Sequence, residues 1–281
     1  MLAAFTISKN VNEVNLVFSV RDSHGRLRTD LTQSDFQLLD NHHPPQDIRY
    51  FERQTELPLR VALLIDNSSS ITGRISFEKK AASVFLKKIL RPNVDQAMVV
   101  AFDDQVGLLQ DFTSDVNALH AAIDRMRPKG DTALYDAIAF ASRKLNHISD
   151  TRVSRRVIIV ISDGEDTHSR ETLNDAQRAA LASDAVIFSL STNDLSLGYP
   201  KGEAVLELLS RGTGGNILKA RAAGELKRAF TEVEKTLRTQ YAIGYVPANF
   251  QPDGSFHSVE ILAAKSHLAV HCRRGYFAAK H

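Results

Sequence analysis

The pattern of apolar and polar residues changes twice along the chain. Near the N-terminus, VNLVFSV alternates between apolar and polar positions and is followed by the turn sequence DSHGR, which is typical of a half-buried strand. From about residue 59 to residue 239, short uninterrupted apolar runs alternate with amphipathic segments. Strand periodicity returns in QYAIGYV, FHSVEILAA and HLAVHCRRGYF. The pattern therefore predicts β-structure at both ends and a different architecture between them.

The central apolar runs predict strands that are covered on both faces. They lie at residues 59–65, 97–102, 156–161 and 185–190. The amphipathic segments between them predict helices at residues 73–90, 116–126, 132–146, 171–183, 203–210 and 225–238. This alternation predicts an α/β fold with a doubly wound, mainly parallel, Rossmann-like sheet.

The two end segments are each too short to form an independent sheet domain. If they pair in space, their strands close one small β-sandwich with the α/β domain inserted between them. We therefore expect residues 1–56 and 240–281 to build the sandwich and residues 57–239 to build the α/β domain.

Composition narrows the class of protein. The 281 residues are 43% hydrophobic and 24% charged, as expected for a globular chain. A net charge of +2 gives no reason to expect a nucleic-acid partner, and no apolar run reaches the ~20 residues needed to span a bilayer. The single cysteine, Cys272, excludes an internal disulfide and a cysteine-rich zinc site. The first ten residues lack a basic segment followed by a long apolar stretch, so no intact signal peptide is expected there.

Three predicted loops carry oxygen-bearing side chains. We expect these loops at the carboxyl edge of the sheet, where doubly wound sheets bind ligands. The loop DNSSS carries Asp66, Ser68 and Ser70, GDTALYDAI carries Thr132, and ISDGED carries Asp163. Because Asp66, Ser68 and Ser70 occupy alternate positions, their side-chain oxygens can face one point. Hydroxyl and carboxylate oxygens suit Mg²⁺, Mn²⁺ or Ca²⁺ better than zinc or copper.

Helix capping is an alternative for these residues. Serines of the first loop and Thr132 precede predicted helices, and Ser and Thr favour the N-cap position. Capping does not explain, however, why three separate loops all carry such groups. Asp103 and Asp104 are interpreted as surface-turn residues, and His168 as a solvated loop histidine, because no nitrogen or sulfur ligand set surrounds it.

The candidate residues in the three loops also match the motif of a known family. Asp66, Ser68 and Ser70 in D-x-S-x-S, Thr132 in GDTALYDAI and Asp163 in ISDGED resemble the metal-ion-dependent adhesion site of von Willebrand factor type A domains. The flanking sequences LTQSDFQLLDN, QYAIGYVP and RRGYF are similar to those of a bacterial subfamily of these domains. The resemblance implies direct coordination by the three hydroxyls, and direct or water-mediated coordination by the two aspartates.

The resemblance also implies a function. A divalent cation held mostly by neutral hydroxyls keeps much of its charge and attracts an anionic oxygen. We therefore expect a protein-binding module in which Mg²⁺, or Mn²⁺ or Ca²⁺, accepts an Asp or Glu carboxylate from a partner protein. The resemblance favours an extracytoplasmic location, either secreted or periplasmic.

Two alternatives remain at this point: a metal-dependent hydrolase, and an assembly module whose cation is purely structural. The three loops contain no lysine, and positions 67–70 do not form an aspartyl-phosphate motif. The glycine cluster RGTGGN follows a predicted helix and precedes a predicted strand, which is the reverse of a phosphate-binding loop. These features favour binding over catalysis, so no enzymatic activity is expected.

Overall fold

The computed structural model describes residues 13–54, 57–148, 154–193 and 200–278. Within these ranges the α-helices are α1 Ile75–Ile89, α2 Val116–Asp124, α3 Leu134–Asn146, α4 Leu173–Ala182, α5 Lys201–Gly212 and α6 Ala223–Leu237. The strands are β1 Val14–Arg21, β2 Phe36–Asp40, β3 Asp47–Gln54, β4 Leu59–Asp66, β5 Gln96–Phe102, β6 Val106–Thr113, β7 Arg155–Ser162, β8 Val186–Ser191, β9 Ile217–Lys219, β10 Gln240–Val246, β11 Phe256–Ala263, β12 Ala269–Cys272 and β13 Gly275–Phe277.

The central sheet has six strands in the order β6-β5-β4-β7-β8-β9. All its pairings are parallel except that of β5 with β6. The predicted α/β fold with a mainly parallel sheet is therefore confirmed. The strand β6 was not predicted, because it is an edge strand without a continuous apolar run. A short turn joins it to β5, as antiparallel pairing allows without a crossover helix.

Helices cover both faces of this sheet, which explains the uninterrupted apolar strands. Along β4, Val61, Leu63 and Ile65 face a core formed with α1, α2 and α6. Ala62 and Leu64 face the opposite core, formed with α3, α4 and α5. Because every residue of β4 is buried, no position on this strand is left for a polar face.

Two antiparallel sheets are built from both ends of the chain. Their strand orders are β12-β1-β10-β3 and β13-β11-β2. They pack against each other around a shared apolar core, which contains the clustered rings of Phe18, Phe36, Phe51 and Tyr241. The sandwich part of the fold is thus confirmed. The domain boundaries after residues 56 and 239 stay a prediction, and residues 1–12, 55–56 and 279–281 of the end segments lie outside the described ranges.

A buried aspartate also joins the two sheets. Asp40 of β2 accepts hydrogen bonds from the hydroxyls of Tyr245 (2.6 Å) and Tyr276 (2.9 Å). Its other oxygen lies 3.0 Å from Nδ1 of His257. Tyr245 belongs to one sheet and Asp40 to the other, so this cluster fixes the sheets relative to each other as well as satisfying the buried carboxylate.

A second buried aspartate, Asp95, anchors the amino end of β4. Its carboxylate accepts hydrogen bonds from the backbone N–H of Leu59 (2.8 Å), from Nε of Arg91 (3.0 Å) and from Nη2 of Arg238 (2.8 Å). Burial acts to raise the pKa of Asp95, but the hydrogen bonds from Arg91, Leu59 and Arg238 outweigh it and hold the pKa below its usual value. Asp95 thereby connects the start of β4 with the ends of α1 and α6.

We predict that Asp95→Asn lowers the free energy of unfolding at pH 7 by about 3 kcal/mol, because two guanidinium groups lose their buried partner. A depressed carboxyl pKa stabilises the fold above the unfolded-state pKa of about 3.9. The difference between variant and wild type should therefore shrink as the pH falls below about 4. Urea unfolding at several pH values measures both effects. The exposed Asp124 provides a control, and Asp124→Asn should stay within about 0.5 kcal/mol of wild type.

Candidate metal site

Asp66 is the last residue of β4 and its carboxylate is buried, with 1% of the residue exposed. Oδ1 accepts a hydrogen bond from the backbone N–H of Ser68 (2.9 Å), and Oδ2 accepts one from Oγ of Ser162 (2.9 Å). The Ser162 hydroxyl in turn accepts from the N–H of Gly164 (3.0 Å). Because β4 and β7 are neighbouring parallel strands, Asp66 joins the first candidate loop to the third.

The hydroxyls of Ser68 and Ser70 lie 2.9 Å apart. Ser68 has extended backbone, and a short 3-10 turn follows it at Ser69–Ile71. Neither the 3-10 turn nor α1 has a side-chain capping bond, and the residue before α1 is Arg74. Helix capping therefore does not account for these two serines.

Thr132 is held in place through its backbone. Its carbonyl oxygen accepts hydrogen bonds from the N–H groups of Thr167 (2.9 Å) and His168 (3.0 Å), and its own N–H donates to Oγ1 of Thr167 (3.1 Å). Helix α3 starts after Ala133 without a side-chain capping bond, so Thr132 does not act as its cap either. The contacts bring the second loop against the third.

The first and second loops are joined by residues that the sequence pattern did not single out. Both N–H and Oγ of Ser69 donate to the carbonyl of Gly130 at 3.1 Å. The side chain of Asn67 is buried and donates to Oδ2 of Asp103 (3.1 Å) and to the carbonyl of Arg127 (2.8 Å). The residues of DNSSS therefore divide into two sets. Asp66, Ser68 and Ser70 are candidate ligands, whereas Asn67 and Ser69 bind the neighbouring loop.

Asp163 follows β7 directly and is half-buried. Its Oδ1 accepts a hydrogen bond from the N–H of Glu165 (3.1 Å), and its carbonyl accepts one from Nδ2 of Asn193 (2.7 Å). Burial raises the pKa of Asp66, the charge of Asp163 raises it further, and hydrogen bonds from Ser68 oppose the rise. The charge of Asp163 therefore adds to the cost of ionising the buried Asp66, which a cation would relieve.

The contacts between the loops bring together the segments that carry these donors, which are all of one chemical kind. In the described ranges no three His, Cys, Asp or Glu side chains form a metal-ligand group, and the candidate site combines two carboxylates with three hydroxyls. This set fits a hard divalent cation. Ser70 is exposed while Thr132 is buried, so the site opens to solvent on one side.

Of two nearby residues that were expected at the surface, His168 is exposed and Asp103 is buried. The side chain of His168 is 54% exposed and lies 3.9 Å from Asp131, as expected for a loop histidine. Asp103 has the expected turn contact, since its Oδ1 accepts from the N–H of Gln105 at 3.1 Å. It is, however, only 6% exposed, because Asn67 covers its other oxygen. The surface interpretation of Asp103 was therefore wrong.

Known proteins share this architecture. The family model of the von Willebrand factor type A domain matches residues 61–165. A von Willebrand factor type A structure from Catenulispora acidiphila aligns with a TM-score of 0.54 and 14% identity, over 97% of this chain and 75% of that chain. The α/β domain has a von Willebrand factor type A-like fold. A search of curated protein sequences found no match.

Two further structures resemble this type A-like domain. Proximal thread matrix protein 1 from the mussel byssus, described with a zinc-occupied MIDAS motif, aligns with a TM-score of 0.56 and 16% identity, over 71% of this chain and 50% of that chain. The vWF domain of a type V pili tip protein from Porphyromonas gingivalis aligns with a TM-score of 0.52 and 16% identity, over 66% of this chain and 96% of that chain. At these identities the likeness establishes the fold.

We predict that, in the presence of a chelator at pH 7, Asp66→Asn raises the urea midpoint of unfolding. A raised carboxyl pKa favours the fold below the unfolded-state pKa and costs stability as the pH rises through the folded-state pKa. The neutral amide removes that cost, while its oxygen still accepts from Ser68. Asp124→Asn serves as the control and should leave the midpoint unchanged. A lower midpoint for Asp66→Asn would show that the two hydrogen bonds to the carboxylate outweigh the cost of burial.

Proposed function

We propose that the type A-like domain binds a divalent cation through Asp66, Ser68, Ser70, Thr132 and Asp163 and uses it to hold an acidic side chain of a protein partner. The observation that carries this proposal is the convergence of three loops at one edge of the sheet. Direct hydrogen bonds join these loops, and the hydroxyls of the site are free of helix-capping roles.

The chemistry of the donors supports Mg²⁺, with Mn²⁺ or Ca²⁺ as the other candidates. Three of the five side chains are neutral hydroxyls, so a bound divalent cation would retain charge toward solvent. A carboxylate from an Asp or Glu of a partner fits that remaining charge. The relative with a zinc-occupied MIDAS motif supports occupation of this kind of site by a divalent cation.

Binding is favoured over catalysis because the site offers no evident base or nucleophile. The hydroxyl of Ser68 contacts that of Ser70, and His168 lies beside Asp131 on an exposed loop. Catalysis by a serine would need a histidine or comparable base within hydrogen-bond reach. Phosphoryl chemistry would need, besides the metal, a basic side chain that holds the phosphate, and the three loops contain no lysine.

The same proposal includes an extracytoplasmic location. The relative from Porphyromonas gingivalis is a pili tip protein, which supports an extracytoplasmic setting for this chain as well. No helix in the described ranges is long and apolar enough to cross a membrane. We also propose residues 57–239 as the binding domain, inserted into a sandwich formed by residues 1–56 and 240–281.

Calorimetric titration with Mg²⁺, Mn²⁺ and Ca²⁺ should show one cation site in the wild-type protein. Asp66→Ala and Asp163→Ala should each weaken binding at least about 100-fold, since each removes a carboxylate from the site, and even outer-shell partners cost 10–100-fold. Asp131→Ala is the matched control, because Asp131 is an exposed carboxylate beside Thr132. Equal binding by wild type and the two site variants would exclude the proposed site.

A cation that receives a partner's carboxylate must keep a coordination position open to solvent. We therefore expect bound Mn²⁺ to enhance the relaxation of water protons through at least one exchangeable inner-sphere water. Asp163→Ala provides the background for unbound Mn²⁺. Tight Mn²⁺ binding without any exchangeable water would instead indicate a purely structural cation.

A further inference from the structure

Glu78 is a fully buried carboxylate in the first turn of α1, shortly after the D-x-S-x-S loop. Within the described ranges Oε2 accepts no hydrogen bond, and Oε1 has only the contact with Arg74, whose geometry falls short of a hydrogen bond. Nε of Arg74 lies 3.1 Å from Oε1, and the side chain of Arg74 is 23% exposed. Buried carboxylates are ordinarily both paired and hydrogen-bonded, so the surroundings of Glu78 satisfy only one of these requirements.

Glu78 also lies within electrostatic range of the candidate cation site. Burial is the main cause that raises its pKa to about 7, Arg74 opposes the rise, and the charges of Asp66 and Asp163 add to it. Both site aspartates therefore act on Glu78 from the end of the sheet against which α1 begins. Further buried polar atoms without partners occur in the same segment, namely Oδ1 of Asn67 and Nε and Nη2 of Arg74.

Apart from the ion pair with Arg74, the packing of α1 gives no structural reason for a carboxylate at this position. The helix is held to the sheet by Ala82, Phe85, Leu86 and Ile89, which belong to the apolar core. An apolar or amide side chain at position 78 would avoid the cost of burying charge. A buried ionisable group that the fold does not need, close to a ligand site, indicates a role in that site.

Charge balance indicates what this role is. Asp66, Asp163 and Glu78 carry three negative charges when ionised, and Arg74 supplies one positive charge. Glu78 is fully buried, whereas the side chain of Arg74 is 23% exposed, so solvent screens the positive charge of this ion pair more than the negative one. The ion pair therefore adds net negative potential at the cation site.

We propose that Glu78 is a further positioning residue of the cation site, to which it contributes a third negative charge from the first turn of α1. Carboxylates in this outer position commonly orient the ligands of a metal and strengthen its binding. This inference rests on the proposed cation site and adds a residue to it.

Glu78→Gln tests the proposal, because it keeps the shape of the side chain and removes its charge. Calorimetry with Mg²⁺ at pH 8 should show binding about 10–100-fold weaker than wild type. The unfolding temperature in EDTA should be equal to or higher than that of wild type, because a buried charge has been removed. Glu225→Gln is the matched control: Glu225 also lies in the first turn of a helix and pairs with an arginine four residues earlier, Arg221.

Arg74→Gln separates an electrostatic role from a structural one. Removal of a positive charge near the site should leave Mg²⁺ binding no weaker than in wild type. Equal weakening by Arg74→Gln and Glu78→Gln would show that the ion pair acts by holding α1, and would overturn the proposal. Wild-type affinity in Glu78→Gln, or loss of its cooperative unfolding in EDTA, would overturn it too. Failure of wild type itself to bind Mg²⁺, Mn²⁺ or Ca²⁺ would instead reject the proposed function.

Discussion

The parallel pairing of β4 with both β5 and β7 is the constraint on which the candidate site depends. In this register Asp66 lies opposite Phe102, and Ile65 lies opposite Ile161. The chain therefore leaves all three strands at the same edge and within about one residue of the same level. Loops that are distant in sequence begin side by side, so short contacts such as the Asp66–Ser162 hydrogen bond are sufficient to join them.

The joined loops concentrate carboxylates in a region where burying negative charge lowers the stability of the fold. Asp66 and Glu78 are both buried, and burial together with the charge of Asp163 raises the pKa of each. Asp95, at the opposite end of β4, shows the contrast, because its hydrogen bonds from Arg91 and Arg238 depress its pKa. The carboxylate of Asp95 stabilises the fold, whereas those of Asp66 and Glu78 carry a cost of burial that the proposed cation would offset. Such local conflict between stability and composition is typical of functional sites.

The sequence was sufficient to predict the parallel core and the five candidate residues, because both leave local signals. Continuous apolar runs mark strands such as β4, and oxygen donors at strand ends stand out against them. Residues that act across loops leave no such signal: Asn67 and Ser162 are ordinary polar residues until the structure shows their partners. Glu78 was missed for a related reason. A glutamate four residues after an arginine is typical of an exposed helix pair, and only burial distinguishes it.

The sandwich occupies the edge of the sheet opposite the candidate site. Both connections to it lie near the amino end of β4, where Asp95 joins the start of β4 at Leu59 to Arg238 at the end of α6. Further contacts fall on the same side: Arg273 pairs with Asp184, just before β8, and Arg21 pairs with Glu232 of α6. Within the described ranges, the two antiparallel sheets thus leave uncovered the carboxyl edge that carries Asp66 and Asp163. The proposed partner would therefore meet this edge without displacing the sandwich, which holds the domain by its opposite end.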